Sequence, residues 1–142
     1  MRVKAVSISQ TKGVKKDNQP VIRLEVGHGV LGDAHAGPWH RQVSLLAQES
    51  IDKMKVLGLE LSPGDFAENI TTEGFAVTAL KIGDRIRVGG TAVLELTQIG
   101  KECHSGCAIA RQVGKCVMPT EGVFFKVITA GEVRPGDGIE LL

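Results

Sequence analysis

Gly-Asp recurs four times in this chain, at 32–33, 64–65, 83–84 and 136–137, and twice it follows proline, at 63–65 and 135–137. Proline presets φ for the first central position of a type II turn, and glycine takes the positive φ that the second position demands. A chain interrupted by tight turns at such intervals has room for short strands and little room for long helices.

The runs between the turns agree with that constraint. Residues 2–9 (RVKAVSIS), 20–26, 84–90, 91–99, 122–129 and 137–142 are short, alternating and rich in Val and Ile, which predicts strands. Residues 84–99 look like a hairpin turning at Gly89-Gly90. Helix signals are few. Leu46, Ile51, Met54 and Leu57 lie near helical spacing in 46–58, and Gly58 suits the stop. Residues 105–114 could form a shorter helix, with Ser105 as N-cap and Gly114 as stop. The expectation is one domain over 1–142, mostly β with a few short helices (a β-rich α+β class), barrel-like or sandwich-like in architecture.

A chain of 142 residues buries roughly 68% of its unfolded surface, so a core can form without disulfides. The net charge is +1. No basic field argues for nucleic acid. The apolar runs are too short to span a membrane. The first residues, MRVKAVSISQTKG, alternate and have no hydrophobic signal region. Three cysteines cannot all pair within one chain, so a reducing cytoplasm is expected.

All three cysteines fall between residues 99 and 116, in IGKECHSGCAIARQVGKC. A tetrahedral zinc site, a Cys103–Cys107 disulfide or redox pair, inert burial and a reactive or metal-ligating thiolate are all open from spacing alone. Inert burial suits Cys116, beside Val117 and Met118. Cys103 follows a strand and the turn 100–102. Lys101, His104 and a helix starting at Ser105 would each favour its thiolate, a soft ligand for a soft metal.

A second unusual stretch is GHGVLGDAHAGPWHRQVSLL, residues 27–46. It holds His28, His35 and His40 with Asp33, Trp39, Arg41 and Gln42. Such a loop can bind a phosphate or a polar ring, with Arg41 as a planar fork of donors. The alternative is a surface loop with Asp33 closing a turn and Arg41 on a strand edge. A third stretch, GDFAENITTEG (64–74), places Glu68 and Asn69 just before a short strand. Asn69 is there to cap a turn or to bind a ligand.

Taken in order, GVLGDAHAG…RQVSLL (29–46), GDFAENITTEG (64–74), LKIGDRIRVGGTAVLELTQIGKEC (80–103) and GVFFKVITAGEVRPGDGIEL (122–141) resemble the MOSC domain. That module ends molybdenum-cofactor sulfurases and also stands alone in bacteria. The resemblance implies a β-rich fold and a cysteine, after a long strand, that carries sulfur or ligates molybdenum. That position falls on Cys103, with Cys107 as the alternative. It further implies a molybdenum–pterin cofactor (molybdopterin), whose phosphate would meet His35 and Arg41 and whose ring would meet Asn69 or backbone groups. Asp33, Gln42, Lys101 and His104 complete the implied site. No aminotransferase-like domain is present in these residues, so no pyridoxal phosphate is expected in this chain.

Three functions follow from that resemblance and from the cysteines. The first is a cofactor-binding or sulfur-carrier protein, receiving persulfide sulfur or the pterin and serving a molybdoenzyme or cofactor-synthesis partner. The second is a small molybdenum-dependent reductase of N-hydroxylated substrates. It would need a separate electron donor, because no ferredoxin-type cysteine set or flavin fingerprint is present. The third is a zinc-stabilised interaction module.

Overall fold

A computed structural model describes residues 1–55, 60–75, 77–100 and 121–142. In chain order its elements are β1 (Arg2–Ile8), β2 (Asp17–Gln19), β3 (Ile22–Glu25), β4 (Gly29–Val30), β5 (Val43–Ala47), α1 (Gln48–Lys55), β6 (Ile70–Glu73), a 3-10 turn (Val77–Ala79), β7 (Arg85–Val88), β8 (Ala92–Ile99), β9 (Val123–Thr129), β10 (Gly131–Val133) and β11 (Ile139–Leu141). The six strands expected from alternation are all present, each trimmed by a residue or two at its ends. The strands β2, β4 and β10 have only two or three residues each, too few to show a period.

Eight strands form one sheet in the order β11-β7-β8-β9-β5-β6-β1-β2, and β10-β3-β4 form a second. The mostly-β expectation holds. The sheets are not closed into a barrel, because β11 and β2 end the larger one unpaired with each other. Instead the sheet curls until its far arm meets the start of β1. An isolated bridge joins Arg2 to Gly138. The Val3 N–H donates to the Asp137 carbonyl at 2.8 Å and the Gly136 N–H to the Val3 carbonyl at 2.8 Å.

The four Gly-Asp pairs do form turns. Their glycines, Gly32, Gly64, Gly83 and Gly136, all take positive φ, between 82° and 94°. In three of them the aspartate closes the turn the same way. Asp65, Asp84 and Asp137 each accept the N–H of the residue three earlier, from Ser62, Lys81 and Arg134, at 2.8 to 2.9 Å. The β7–β8 hairpin pairs Val88 with Ala92, so its loop is Gly89-Gly90-Thr91, one residue longer than a two-residue turn.

Strand β5 is buried along its whole length. Val43, Leu45 and Ala47 enter the main core with Val3, Val6, Leu94 and Phe125. Leu46 enters a second cluster with Ile51 and Met54 of α1, Phe66 and Phe124. Burial on both faces is why VSLLA reads as a continuous apolar run rather than an alternation. Helix α1 begins two residues later than the spacing predicts, because the sheet claims Leu46 and Ala47. Its expected stop at Gly58 and the predicted helix over 105–114 lie outside the described residues.

β1 carries Val3 and Val6 into the same core, although three residues apart they should face opposite sides. A register shift between Val3 and Ala5 resets the alternation.

Candidate functional site

The loop between β4 and β5 is closed at its root by backbone packing. Gly29 has φ +112°, and a Cβ there would stand 2.5 Å from the Gln42 carbonyl oxygen. Only glycine lets the two ends of the loop approach so closely. Within the loop the Gly37 N–H donates to the His28 carbonyl at 2.6 Å, and the Ala34 N–H to the Ser9 carbonyl at 2.8 Å. The loop is thereby fastened to the end of β1.

Asp33 sits in the remaining Gly-Asp turn, and its N–H still donates to the Val30 carbonyl at 3.2 Å. Its carboxylate does something else. It accepts the Ser9 N–H at 3.0 Å, the His35 N–H at 3.0 Å and the Lys16 ammonium at 2.8 Å. The Lys16 and Asp33 side chains are both 0% exposed. Burial pushes the Asp33 carboxyl up, but the bond and charge of Lys16, with the two backbone donors, outweigh it and hold the group below its ordinary value. Lys16 also donates to Ser9 Oγ at 3.0 Å and stands 3.0 Å from His35 Nδ1. A cleft of about 350 Å³, lined by Ser9, Thr11, Val14 and Lys15 among others, shares Ser9 with this cluster.

Trp39 continues the site. Its indole N–H donates to the His35 carbonyl at 2.7 Å. The Arg41 guanidinium lies 4.5 Å from the Trp39 ring centre and 5.6 Å from that of Phe124. Lys12 stands over the same indole at 5.5 Å. Two cations on one aromatic ring make a positive shelf. Among the described residues Arg41 makes ring contacts and no ion pair.

His40 reaches the other way, to β8. Its Nε2 and Gln98 Oε1 are 2.7 Å apart, which places the ring proton on Nε2. The Thr97 hydroxyl donates to the His40 carbonyl. Gln98 Nε2 donates to the Gly100 carbonyl at 2.7 Å, and the Gly100 N–H donates to the Gly122 carbonyl at 2.7 Å. The histidine loop therefore rests on the end of β8, at the point where the chain leaves for residues 101–120 and returns.

The remaining sequence candidates divide. Gln42 is buried and its Oε1 accepts the Val127 N–H at 3.0 Å, tying β5 to β9. Asn69 is fully buried. Its Oδ1 accepts the Ser44 N–H at 3.1 Å and its Nδ2 donates to the Ser7 carbonyl at 3.2 Å. Its amide joins β1 to β5. Glu68 is likewise fully buried. Its Oε2 accepts from Gly64 N–H at 3.0 Å and Thr71 Oγ1 at 2.6 Å, while Oε1 has no side-chain partner among the described residues. Cys103, Cys107, Cys116, Lys101 and His104 lie outside the described residues. Among the described residues no group of three or more His, Cys, Asp or Glu is placed to hold a metal, and no helix is long and apolar enough to cross a membrane.

Sequence reasoning missed Lys16, Ser9, Gln98 and Phe124. Lys16 stands in VKKDN, a charged run that reads as solvated surface, and nothing local marks it as buried.

The sequence profile of the MOSC domain matches residues 32–140. The fold resembles the YuaD protein of Bacillus subtilis, with a TM-score of 0.79 and 22% identity over 99% of this chain and 96% of that one. It also resembles YiiM of Geobacillus stearothermophilus (TM-score 0.75, 17% identity, 99% of this chain and 74% of that one) and YiiM of Escherichia coli (0.71, 19%, 100% and 70%). No curated protein sequence matches significantly.

Proposed function

The chain belongs to the MOSC domain family, and from that membership we propose that it binds a molybdenum–pterin cofactor, or carries sulfur for it, through a thiolate cysteine of residues 101–120. The family is associated with molybdenum-cofactor binding. The observation that carries the reading is the 2.7 Å contact between His40 and Gln98. It brings the loop holding Asp33, His35, Trp39 and Arg41 to the end of β8. Cys103 follows Gly100 by three residues, and three residues of chain reach at most about 11 Å.

The donor set fits such a group. A phosphate ester calls for a fork of charged donors, and Arg41 offers one packed near the Trp39 and Phe124 rings. A polar ring calls for an aromatic face beside hydrogen-bond donors, and Trp39 lies among Lys12, His40 and Arg41. Molybdenum or a persulfide calls for a soft ligand, and every thiol of the chain is in the stretch that starts from this corner. The cofactor, when bound, supplies two-electron oxygen-atom or sulfur chemistry. The chain's own groups bind, orient and neutralise. On this reading the protein works in the cytoplasm and hands its cargo to a molybdoenzyme or a cofactor-synthesis partner.

The test is the composition of the protein purified from molybdate-replete cells. Molybdenum and pterin fluorescence together support the reading. Zinc without either would replace it with the interaction module.

A further inference from the structure

The cleft of about 350 Å³ lies between the β1–β2 hairpin and the loop that joins its strands. Its volume suits one small ring and stands at the lower end for ligand sites. Strand alternation builds one wall. Asp17 and Gln19 lie two apart on β2 and share a face, and Ile8 of β1 stands in register with Asp17. Gln10, Val14 and Lys15 of the loop close the other side. The polar groups here are largely uncommitted. Among the described residues the Gln10 and Asp17 side chains make no hydrogen bond or ion pair. Gln19 Nε2 donates to the Asp17 carbonyl at 3.3 Å, which leaves its Oε1 to accept. Lys15 stands 3.9 Å from Asp65, beyond hydrogen-bond distance.

That lining selects its occupant. Lys15 and Asp17 balance in charge, so the cleft draws neither a cation nor an anion. Asp17 belongs to no metal-holding group among the described residues. An added peptide strand is disfavoured too. β2 ends the larger sheet, but it has three residues and runs into Pro20, which has no N–H to offer. An uncharged ring bearing hydroxyls meets every group present. The Asp17 carboxylate accepts a hydroxyl in a charge-assisted bond, and the two amides donate and accept. Ile8 and Val14 offer an apolar surface to the C–H face of such a ring.

The cleft is one peptide away from the positive shelf. Thr11 lines it, and Lys12, the next residue, stands over the Trp39 ring that also carries Arg41. We propose that cleft and shelf together form a sugar-phosphate site, with the ring hydroxyls on Asp17, Gln10 and Gln19 and the phosphate on Lys12 and Arg41. The shelf alone takes a phosphate of any ester. The cleft adds selection for an ester whose alcohol is a sugar. This inference rests on the reading of the Trp39 shelf as a phosphate seat, and it is independent of the thiolate and of molybdenum.

The experiment is an NMR titration of the full-length protein, without cofactor, with methyl riboside 5-phosphate and with butyl phosphate. The two esters share their charge and differ in hydroxyls. The riboside should bind about tenfold tighter or more, the size of one charge-assisted hydrogen bond. It should shift the amide signals of Thr11, Asp17 and Gln19 together with the Trp39 indole, whereas butyl phosphate shifts the indole alone. Asp17→Asn and Gln10→Ala alter exposed side chains. Each should remove most of the riboside's advantage and leave the affinity for butyl phosphate as it was. Equal affinities for the two esters, cleft signals that do not move, or an advantage that survives both variants overturns the sugar subsite and leaves the cofactor reading standing. Riboside binding as expected in a protein that binds no molybdopterin would refute the cofactor reading and leave the subsite.

Discussion

Lys16 Nζ and Asp33 Oδ1 lie 2.8 Å apart with neither side chain exposed. A buried pair of this kind is costly to break from one side, because the surviving charge loses its counter-ion where neither side chain reaches solvent. Lys16→Met should therefore destabilise the protein by about 3–5 kcal/mol, and Lys16→Met/Asp33→Asn by clearly less than the sum of its parts. Urea unfolding of the four proteins in that cycle measures the coupling. Additive losses would mean that the two groups do not depend on one another.

The pair also sets an acid limit. The Asp33 carboxyl is held below its ordinary value in the fold. Its contribution is present above the unfolded carboxylate pKa of about 3.9 and is lost as pH falls through the lower folded value. Wild type should lose stability on acidification below about pH 4, and Asp33→Asn should lose less over the same interval. Melting temperature against pH reports both.

Glu68 works in the opposite sense. Full burial, against the opposing bonds from Thr71 and Gly64, pushes its carboxyl up. A raised folded pKa gives stability that is complete below the unfolded value of about 4.3 and is lost as pH rises through the folded value. Glu68→Gln keeps an acceptor for Gly64 and Thr71 and removes the titration. The variant should match wild type near pH 4 and exceed it at pH 8. Parallel pH profiles for the two proteins would show that Glu68 is already ionised in the fold.

Much of this was readable beforehand. The Gly-Asp turns and the alternating runs predicted six strands, because turn chemistry and period-two burial are local properties. The histidine loop and the cysteine stretch were legible as separate patches. The contact of the histidine loop with the end of β8 was not, since His40 and Gln98 are 58 residues apart. Asp33 shows the same limit. Its sequence context matches that of Asp65, Asp84 and Asp137, which close their own turns. Only a lysine brought in from the run before β2 diverts Asp33 to the buried cluster.

Gly29 closes the loop on Gln42, with φ +112° and no room for a Cβ. Gly29→Ala should cost about 1–3 kcal/mol in strain and loosen the loop. Trp39 is the one tryptophan of the chain, so its emission reports the loop directly. Unchanged emission and stability would mean that the backbone shifts without consequence.

Arg41 has its rings and, among the described residues, no carboxylate. Its fork should be worth about 1.5–3 kcal/mol to a bound phosphate ester. Affinity for molybdopterin should fall in the order wild type, Arg41→Lys, Arg41→Ala, with lysine keeping charge and losing the planar fork. Fluorescence titration at two salt concentrations gives the order. Equal affinities would make Arg41 a packing residue.

The account turns on a thiolate that starts from the corner built by His40 and Gln98. Molybdenum bound per protein should be compared in wild type, Cys103→Ser and Cys107→Ser, all purified from molybdate-replete cells and all shown to be folded. The expected result is metal in wild type, loss in Cys103→Ser, and retention in Cys107→Ser. Full molybdenum in Cys103→Ser would contradict the assignment, and full molybdenum in both variants would contradict a cysteine ligand from this pair.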